Sequence, residues 1–210
     1  MAADVALQLN QLIQARRSVK PRCFNGSRVD DAVIHQILEN ANWAPNDGKS
    51  QPWRFFVFTA DGLNRLAQFQ ATLYQQRTPE ADFSPDKYER MKSNVLKSSH
   101  VIVIGLVRKL ATIPEVEDIE AVACSVQNMM LTATAHGICS FWGSGGVTYT
   151  DELKGFLGLG PEDRCLGYLY LGYSDAPPPA GQRSPVGEKV VWIDQDIEQK
   201  ANGDKPDRYV

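Results

Sequence analysis

The stretch Ala44-Pro45-Asn46-Asp47-Gly48-Lys49-Ser50-Gln51-Pro52-Trp53-Arg54-Phe55 decides how this chain folds, because it joins a helical pattern to a strand pattern. Apolar residues recur at helical spacing before it, and Pro45 predicts the end of that helix. After it, residues 55–59 have the apolar and aromatic character of a strand. The polar segment in between is therefore placed to offer side chains and backbone donors to a planar ligand.

Apolar periodicity predicts the other elements. Helices are predicted over about 4–17, from the N-cap Asp30 to Ala41, from Asp61 to Leu73, from about 85, over about 116–136 with Gly137 at the end, and after the cap Thr150. Strands are predicted over 101–107, 138–142, 164–171 and 189–193. Helices and strands do not alternate regularly, so we expect an α+β fold with a central, mostly antiparallel sheet flanked by helices. We expect one domain over 1–210, with residues 78–98 as a mobile excursion.

Composition excludes several classes of protein. The chain has 210 residues, of which 43% are hydrophobic and 22% charged, as in soluble globular proteins. A net charge of -3 gives no reason to expect a nucleic-acid partner. The longest apolar run, 101–107, is much shorter than the roughly 20 residues of a bilayer span, and no signal peptide is visible. Four scattered cysteines without CxxC spacing indicate reduced thiols, so we expect a cytoplasmic protein.

A basic segment lies at the end of the first predicted helix. Arg16, Arg17, Ser18 and Lys20 place three cations and a hydroxyl within five residues. Such groups form charge-assisted hydrogen bonds to a phosphate. Cations at this place can also simply complement the C-terminal end of the helix dipole. The residues alone leave both interpretations open.

A glycine-rich segment follows the predicted strand 138–142. Phe141-Trp142-Gly143-Ser144-Gly145-Gly146-Val147-Thr148 has three glycines in four residues, which allows a close approach of backbone to ligand. Successive N–H groups in such a turn can face an anion or the edge of a flavin ring. A plain turn with positive φ is the alternative. The glycine pattern of a Rossmann dinucleotide site, strand then GxGxxG then helix, does not occur.

The end of the long helix, Thr132-Ala133-Thr134-Ala135-His136-Gly137, is a further candidate contact. His136 is placed either to meet a substrate or to cap the helix. The three histidines are not paired at ligand spacing, so we expect no metal site. Gly143-Ser144-Gly145 is a fragment of a serine-hydrolase elbow, but its strand–turn–helix context differs.

In order and spacing, these segments resemble the nitroreductase family over residues 8 to about 193, and its small-subunit branch in particular. The family's Arg-x-Ser-x-Lys/Arg stretch is matched at 16–20, and its Ala-Pro-Ser-x-x-Asn-x-Gln-Pro-Trp stretch at 44–53. Asn46, Asp47 and Lys49 depart from the usual Ser, Ser and Asn. A fourth match is Arg183-Ser184-Pro185-Val186-Gly187-Glu188-Lys189-Val190-Val191, a basic residue before Pro and then an acidic residue before Val-Val.

The resemblance implies an enzyme that binds FMN and uses NADH or NADPH as co-substrate. The residues it assigns to FMN are Arg16, Arg17, Ser18, Lys20, Trp43, Pro45, Asn46, Asp47, Lys49, Trp142, Gly143, Ser144, Gly145 and Arg183. It assigns Thr132, His136 and Gly137 to NAD(P)H or to the substrate. No catalytic side chain is implied, because flavin N5 performs the chemistry.

The resemblance also implies a homodimer with FMN at the interface, in which Pro45 to Lys49 of one subunit meet the flavin held by the other. Electrons would pass from NAD(P)H to a nitroaromatic or another small oxidised acceptor by a ping-pong mechanism, with the acceptor pocket in 78–98. A family member that reduces enones, quinones or halogenated substrates is an alternative. A flavin-binding carrier or redox sensor without turnover is another, and a purely structural protein would hold no flavin.

Overall fold

The computed structural model describes residues 2–193. Its helices are α1 Ala2–Ala15, α2 Asp31–Asn42, α3 Asp61–Arg77, α4 Pro85–Leu96, α5 Glu115–Ala135 and α6 Asp151–Leu157. Its strands are β1 Trp53–Phe58, β2 His100–Leu106, β3 Cys139–Gly143 and β4 Arg164–Gly172. Short 3₁₀ turns cover Pro21–Cys23, Asp47–Lys49, Glu80–Asp82 and Val186–Lys189. Residues up to Pro179 form one compact unit, and those from Ala180 belong to a second.

Local side-chain chemistry sets the helix ends, as the sequence predicts. The Asp30 carboxylate accepts from Ala32 N at 2.9 Å, and this bond satisfies a free N–H at the start of α2. The Thr150 hydroxyl accepts from Leu153 N at 3.2 Å at the start of α6. Gly137 has a φ of 68° immediately after α5, a conformation that costs glycine little.

The four strands form one antiparallel sheet in the order β1-β2-β4-β3. The central strand β2 is buried along its whole length. Phe141 of β3 lies opposite Tyr170 of β4, and Val103 of β2 lies opposite Tyr168. The expected α+β fold with a central antiparallel sheet is therefore confirmed.

Helices cover both faces of this sheet because alternate strand residues point to opposite sides. On one face, Ile102, Ile104 and Leu169 pack with apolar residues of α2 and α5. On the other face, Val103 and Tyr168 pack with residues of α3, α4 and α6. The second face carries the site described below.

The prediction of a strand at 189–193 is wrong. Residues Val186–Lys189 form a 3₁₀ turn, and residues 190–193 have no regular structure and are exposed. A strand needs a neighbouring strand for its hydrogen bonds, and none pairs with this segment within the described chain.

The helix expected from about 85 is present as α4. The single-domain prediction for 1–210 stays a prediction, since residues beyond 193 lie outside the described part.

Candidate functional site

A cavity of about 230 Å³ lies between α3, α4, the strands β3 and β4, and the loop that follows β3. Helix α4 contributes Lys87, Arg90, Met91 and Asn94 to its lining. These positions are spaced i, i+3, i+4 and i+7, so they share one face of the helix. The cavity therefore belongs partly to the segment 78–98 that the sequence singled out as an excursion.

The inner wall of the cavity is aromatic and polar. Tyr168 and Tyr170 of β4 face it, as does Gln70 of α3, and all three are buried. Burial raises the pKa of the Tyr170 phenol to about 12 and raises the pKa of Tyr168 well above its usual range. Both phenols are therefore neutral near pH 7 and keep their O–H donors.

Two polar atoms in this wall lack a partner. Gln70 Nε2 and Tyr168 Oη are buried and form no hydrogen bond of normal geometry within the described chain, although the side chains of Gln70 and Thr148 lie near the Tyr168 phenol. A buried donor without a partner costs about 1–3 kcal/mol. Buried polar groups are nearly always hydrogen-bonded in folded proteins, and a ligand in the cavity would supply the missing partners.

Glycines bring the backbone close to the cavity. Gly143, Gly145 and Gly146 line it, and a Cβ at Gly146 would lie 2.9 Å from Met91 Cε. Gly146 also has a φ of 70°, which favours glycine. Gly143 and Gly145 are thus brought to one site, and the role predicted for this segment in binding a ligand stays a prediction.

The basic segment 16–20 runs beside the same strand. Ser18 forms a parallel bridge with Ser140, and Val19 N donates to Ser140 O at 2.9 Å. The next residue of β3, Phe141, lines the cavity. The structure thus places two of the segments predicted to bind FMN side by side at the β3 edge of the sheet.

Within the basic segment, the side chains differ in their partners. Arg17 donates to three backbone carbonyls, those of Pro179 at 3.0 Å, Gln14 at 2.5 Å and Arg16 at 2.9 Å. The contact with Gln14 O agrees with the helix-terminus interpretation of Arg17, and the assignment of this residue to FMN stays a prediction. Arg16, Ser18 and Lys20 form no side-chain hydrogen bond to the described residues, so their polar groups are available to a phosphate.

The segment 44–51 is a strained loop. Asn46 closes it, since its amide donates to Ala44 O at 3.3 Å and accepts from Gln51 N at 3.0 Å. The φ angles are 54° at Gly48, 52° at Lys49 and 42° at Gln51. Positive φ at residues other than glycine is uncommon and tends to cluster at functional sites.

A buried ion pair supports this loop. The guanidinium of Arg108 donates to Asp118 Oδ2 at 2.5 Å, and Asp118 Oδ1 accepts from the Ser50 hydroxyl at 3.4 Å. Lys109 Nζ donates to Ser50 O at 2.8 Å and to Gln51 O at 3.0 Å. The loop is therefore fixed to the start of α5 and the end of β2 by charged groups.

The loop does not meet the cavity within one chain. None of Pro45, Asn46, Asp47 and Lys49 lines it, and Trp43 is 79% exposed. The roles assigned to these residues stay predictions.

Trp142 points to the other face of β3 from Phe141. Its Nε1 donates to Leu166 O at 3.0 Å. With Ser144, Ile119 and Tyr149 it lines a separate hollow of about 320 Å³. Gly143 lines both the hollow and the cavity, so the glycine turn connects them.

The remaining predicted contacts lie elsewhere. Thr132 is buried, and its hydroxyl accepts from Asn40 Nδ2 at 2.9 Å and donates to Asn128 O at 2.9 Å. His136 caps α5 and is exposed, as is Gly137. Arg183 belongs to the second unit and donates to the neighbouring Gln182 O at 2.6 Å. Thr132, His136 and Gly137 do not line the cavity. The roles assigned to all four residues stay predictions.

Sequence reasoning missed several residues of the cavity wall, because they come from three separate elements. Signals were nevertheless present: Tyr168 and Tyr170 alternate with leucines on one strand, and α4 has cations spaced three residues apart. Among residues 2–193, no three His, Cys, Asp or Glu side chains are grouped to hold a metal ion. No helix of the described chain combines the length and apolarity that crossing a membrane requires.

The fold defines an α+β protein with helices on both faces of an antiparallel sheet and a cavity of about 230 Å³ on one of these faces. The chain belongs to the Nitroreductase family, whose family model matches residues 13–173.

Relatives and solved structures resemble nearly the whole chain. YfhC of Bacillus subtilis, named as a NAD(P)H nitroreductase, is 28% identical over 184 residues, which are 87% of this chain and 93% of YfhC. A nitroreductase-like family protein from Bacillus cereus has a TM-score of 0.77 at 27% identity, covering 89% of this chain and 96% of that chain. A protein from Desulfovibrio desulfuricans, described as a nitroreductase and solved in complex with FMN, has a TM-score of 0.66 at 25% identity, covering 90% and 96%.

Proposed function

We propose that this protein is an FMN-dependent oxidoreductase that transfers electrons from NAD(P)H to nitroaromatic or other small oxidised acceptors. The observation that carries the proposal is the cavity on the sheet, which has an aromatic wall, a glycine turn and the basic segment 16–20 beside it. Membership of the nitroreductase family and the FMN complex of a relative with 25% identity support the same cofactor.

The residues of the cavity fit a flavin. Phe141, Tyr168 and Met91 offer apolar surface to a planar ring, and the turn at Gly145 and Gly146 leaves room for its edge. The unpaired Gln70 Nε2 supplies a donor that a ring carbonyl would satisfy.

The phosphate end of FMN would lie at the basic segment. Arg16 and Lys20 bring positive charge, and the Ser18 hydroxyl brings a donor next to the β3 edge. Charge-assisted bonds of this kind are short and strong. Arg183 is proposed as a further phosphate contact on the family resemblance alone.

When bound, FMN supplies the redox chemistry, since it accepts a hydride from NAD(P)H and delivers electrons to the acceptor. The protein binds and orients the reactants. The buried phenols of Tyr168 and Tyr170 stay protonated, so they can donate hydrogen bonds without becoming charged. Because both substrates would use one cavity in turn, we expect ping-pong kinetics, with solvent protonating the product.

The first test is the visible absorption spectrum of the purified protein, recorded before and after excess NADPH or NADH without oxygen. Flavin bands that bleach with the nicotinamide are expected. A colourless protein that does not take up added FMN would refute the proposed cofactor. Flavin that nicotinamide never reduces, with any acceptor, would instead favour a carrier or sensor without turnover.

We propose that the working unit is a homodimer. Val5, Leu9 and Ile13 follow one another at four-residue intervals on α1, and they are 62%, 50% and 48% exposed. Val116 of α5 and Trp43 are also largely exposed. A second copy of the chain would bury this apolar surface, as obligate dimers do.

Subunit complementation tests whether the partner completes the flavin site. One variant carries Arg16→Ala and Ser18→Ala, and the other carries Asp47→Ala and Lys49→Ala. Each pure variant should hold little FMN.

A mixed dimer should hold about one FMN, because one of its two sites combines the intact segment 16–20 of one subunit with the intact loop 44–51 of the other. If each site lay within one chain, both sites of the mixed dimer would be damaged, and its FMN content would be as low as that of the pure variants. The readout is FMN per dimer after purification by two different tags.

A further inference from the structure

The wall of the cavity that α4 forms carries positive charge without a carboxylate. Lys87 and Arg90 line it, and no Asp or Glu is among its lining residues. A cleft lined by charges of one sign concentrates the potential and attracts ions of the opposite sign. The acidic residues of α4, Asp86 and Glu89, are exposed and lie outside the lining.

Both cations are unpaired in the described chain. Neither Lys87 nor Arg90 forms an ion pair there, although six other pairs are present. Lys87 Nζ rests over the ring of Tyr74 at 4.6 Å from its centroid. This contact holds the ammonium in place while leaving its charge uncompensated.

The inner wall gives an independent indication of a ligand. Gln70 is 3% exposed and Tyr168 is 2% exposed, and each has a polar atom that forms no hydrogen bond of normal geometry among residues 2–193. One cavity connects these two residues with Lys87 and Arg90, so a ligand bound to the inner wall would have the cations within the same cavity. A flavin ring alone accounts for the wall, but it does not account for two cations on α4, because the FMN phosphate is assigned to residues 16–20.

We propose that Lys87 and Arg90 form an anion subsite that binds a phosphate or carboxylate of the molecule that reacts in the cavity. This inference rests on the proposed function, because that function makes the bound molecule a reactant. The binding of the anion itself does not require turnover. Two molecules can supply such an anionic group: NADPH through its 2′-phosphate, and an acceptor that carries a carboxylate. Arg90 is suited to either anion because its planar fork can bind two oxygens at once.

The test compares two variants that lose the same charge. Lys87→Gln/Arg90→Gln removes both cations of the subsite. Lys92→Gln/Lys97→Gln removes two cations from the same helix and its cap, outside the lining. Arg90→Gln alone provides a milder third variant should the first fold poorly.

Binding is measured by calorimetry with two matched pairs of probes, NADP⁺ against NAD⁺ and benzoate against benzyl alcohol. In the Lys87→Gln/Arg90→Gln variant, affinity for the anionic member of at least one pair should fall roughly tenfold or more, while the neutral or less charged member changes little. The pair that responds identifies the source of the anion. Where turnover is measurable and the nucleotide pair responds, KM for NADPH should rise more than KM for NADH in this variant.

The inference is overturned if both members of each pair weaken equally, or if the Lys92→Gln/Lys97→Gln control loses as much affinity. It is also overturned if the loss of Lys87 and Arg90 chiefly releases FMN, since the cations would then hold the cofactor phosphate. A protein that never takes up flavin but binds an anionic probe through these residues would support the subsite while refuting the proposed function.

Discussion

Replacing Gly167 by alanine should destabilise the edge of the sheet that carries the cavity. Gly167 lies in β4 with a φ of 123°, a backbone conformation that other residues rarely adopt. A Cβ at this position would lie 2.6 Å from Gly143 O and 2.8 Å from Trp142 Nε1. The closer of these contacts is backbone, so a side-chain rotation cannot relieve it.

The size of the effect follows from two contributions. A non-glycine residue in so sparsely populated a conformation costs about 1–3 kcal/mol. Forcing an extra methyl between two paired strands costs a further amount of about 1–3 kcal/mol. The free energy of unfolding should therefore fall by about 2–6 kcal/mol, a large share of the roughly 5–15 kcal/mol of a typical domain.

Gly155→Ala is the matched control, because it makes the same chemical change in an open place. Gly155 lies inside α6, and nothing is within 4 Å of the Cβ it would gain. Alanine there should stabilise the protein by about 0.5–1 kcal/mol.

Urea unfolding followed by far-UV circular dichroism, at one protomer concentration and with the same FMN supply, measures both changes. A loss of less than about 1 kcal/mol in Gly167→Ala would refute the close approach of β3 and β4.

Three further predictions concern charged and titratable groups. Burial lowers the pKa of His100, so the unfolded chain binds a proton more readily than the folded chain does. The free energy of unfolding should therefore fall as pH drops below about 6.5. His100→Gln should weaken this pH dependence in urea titrations. Arg108→Met leaves the carboxylate of Asp118 buried without its partner and should destabilise the protein by about 3–5 kcal/mol, measured by the same unfolding. Arg16→Ala should weaken FMN retention by about 1.5–3 kcal/mol in equilibrium dialysis, whereas exposed Arg22→Ala should not; equal retention in both would contradict a phosphate contact.

Elements with local chemical signals were predictable from the sequence. Asp30 and Thr150 are caps because their side chains meet nearby N–H groups, and Gly137 ends α5 because the chain there needs positive φ. The apolar run 101–107 could only be a buried strand, and it is the central strand β2. In each case the deciding interaction lies within a few residues.

The cavity and the strand order could not be predicted in this way. Gln70, Met91 and Tyr168 are distant in sequence, and each has an ordinary helix or strand context of its own. Their meeting depends on the order β1-β2-β4-β3, which no local motif specifies. The wrong strand at 189–193 has the same origin: its composition suits a strand, but pairing depends on a neighbour that the described chain does not provide.

The segments 16–20 and 44–51, both predicted to bind FMN, lie in different places and are held by different contacts. The basic segment 16–20 pairs with Ser140 at the β3 edge, and the next residue of β3, Phe141, lines the cavity. The loop 44–51 is instead held with positive φ at Lys49 and Gln51 by Lys109 and the network around Asp118.

Backbone strain of about 1–3 kcal/mol at each such residue persists only where surrounding contacts fix it. Here those contacts leave Pro45, Asp47 and Lys49 exposed and away from the cavity of their own chain. The loop is thus exposed and at the same time fixed in a strained conformation. It is suited to meeting another surface without reordering, and the exposed apolar stripe of α1 offers a reason for that surface to be a second copy.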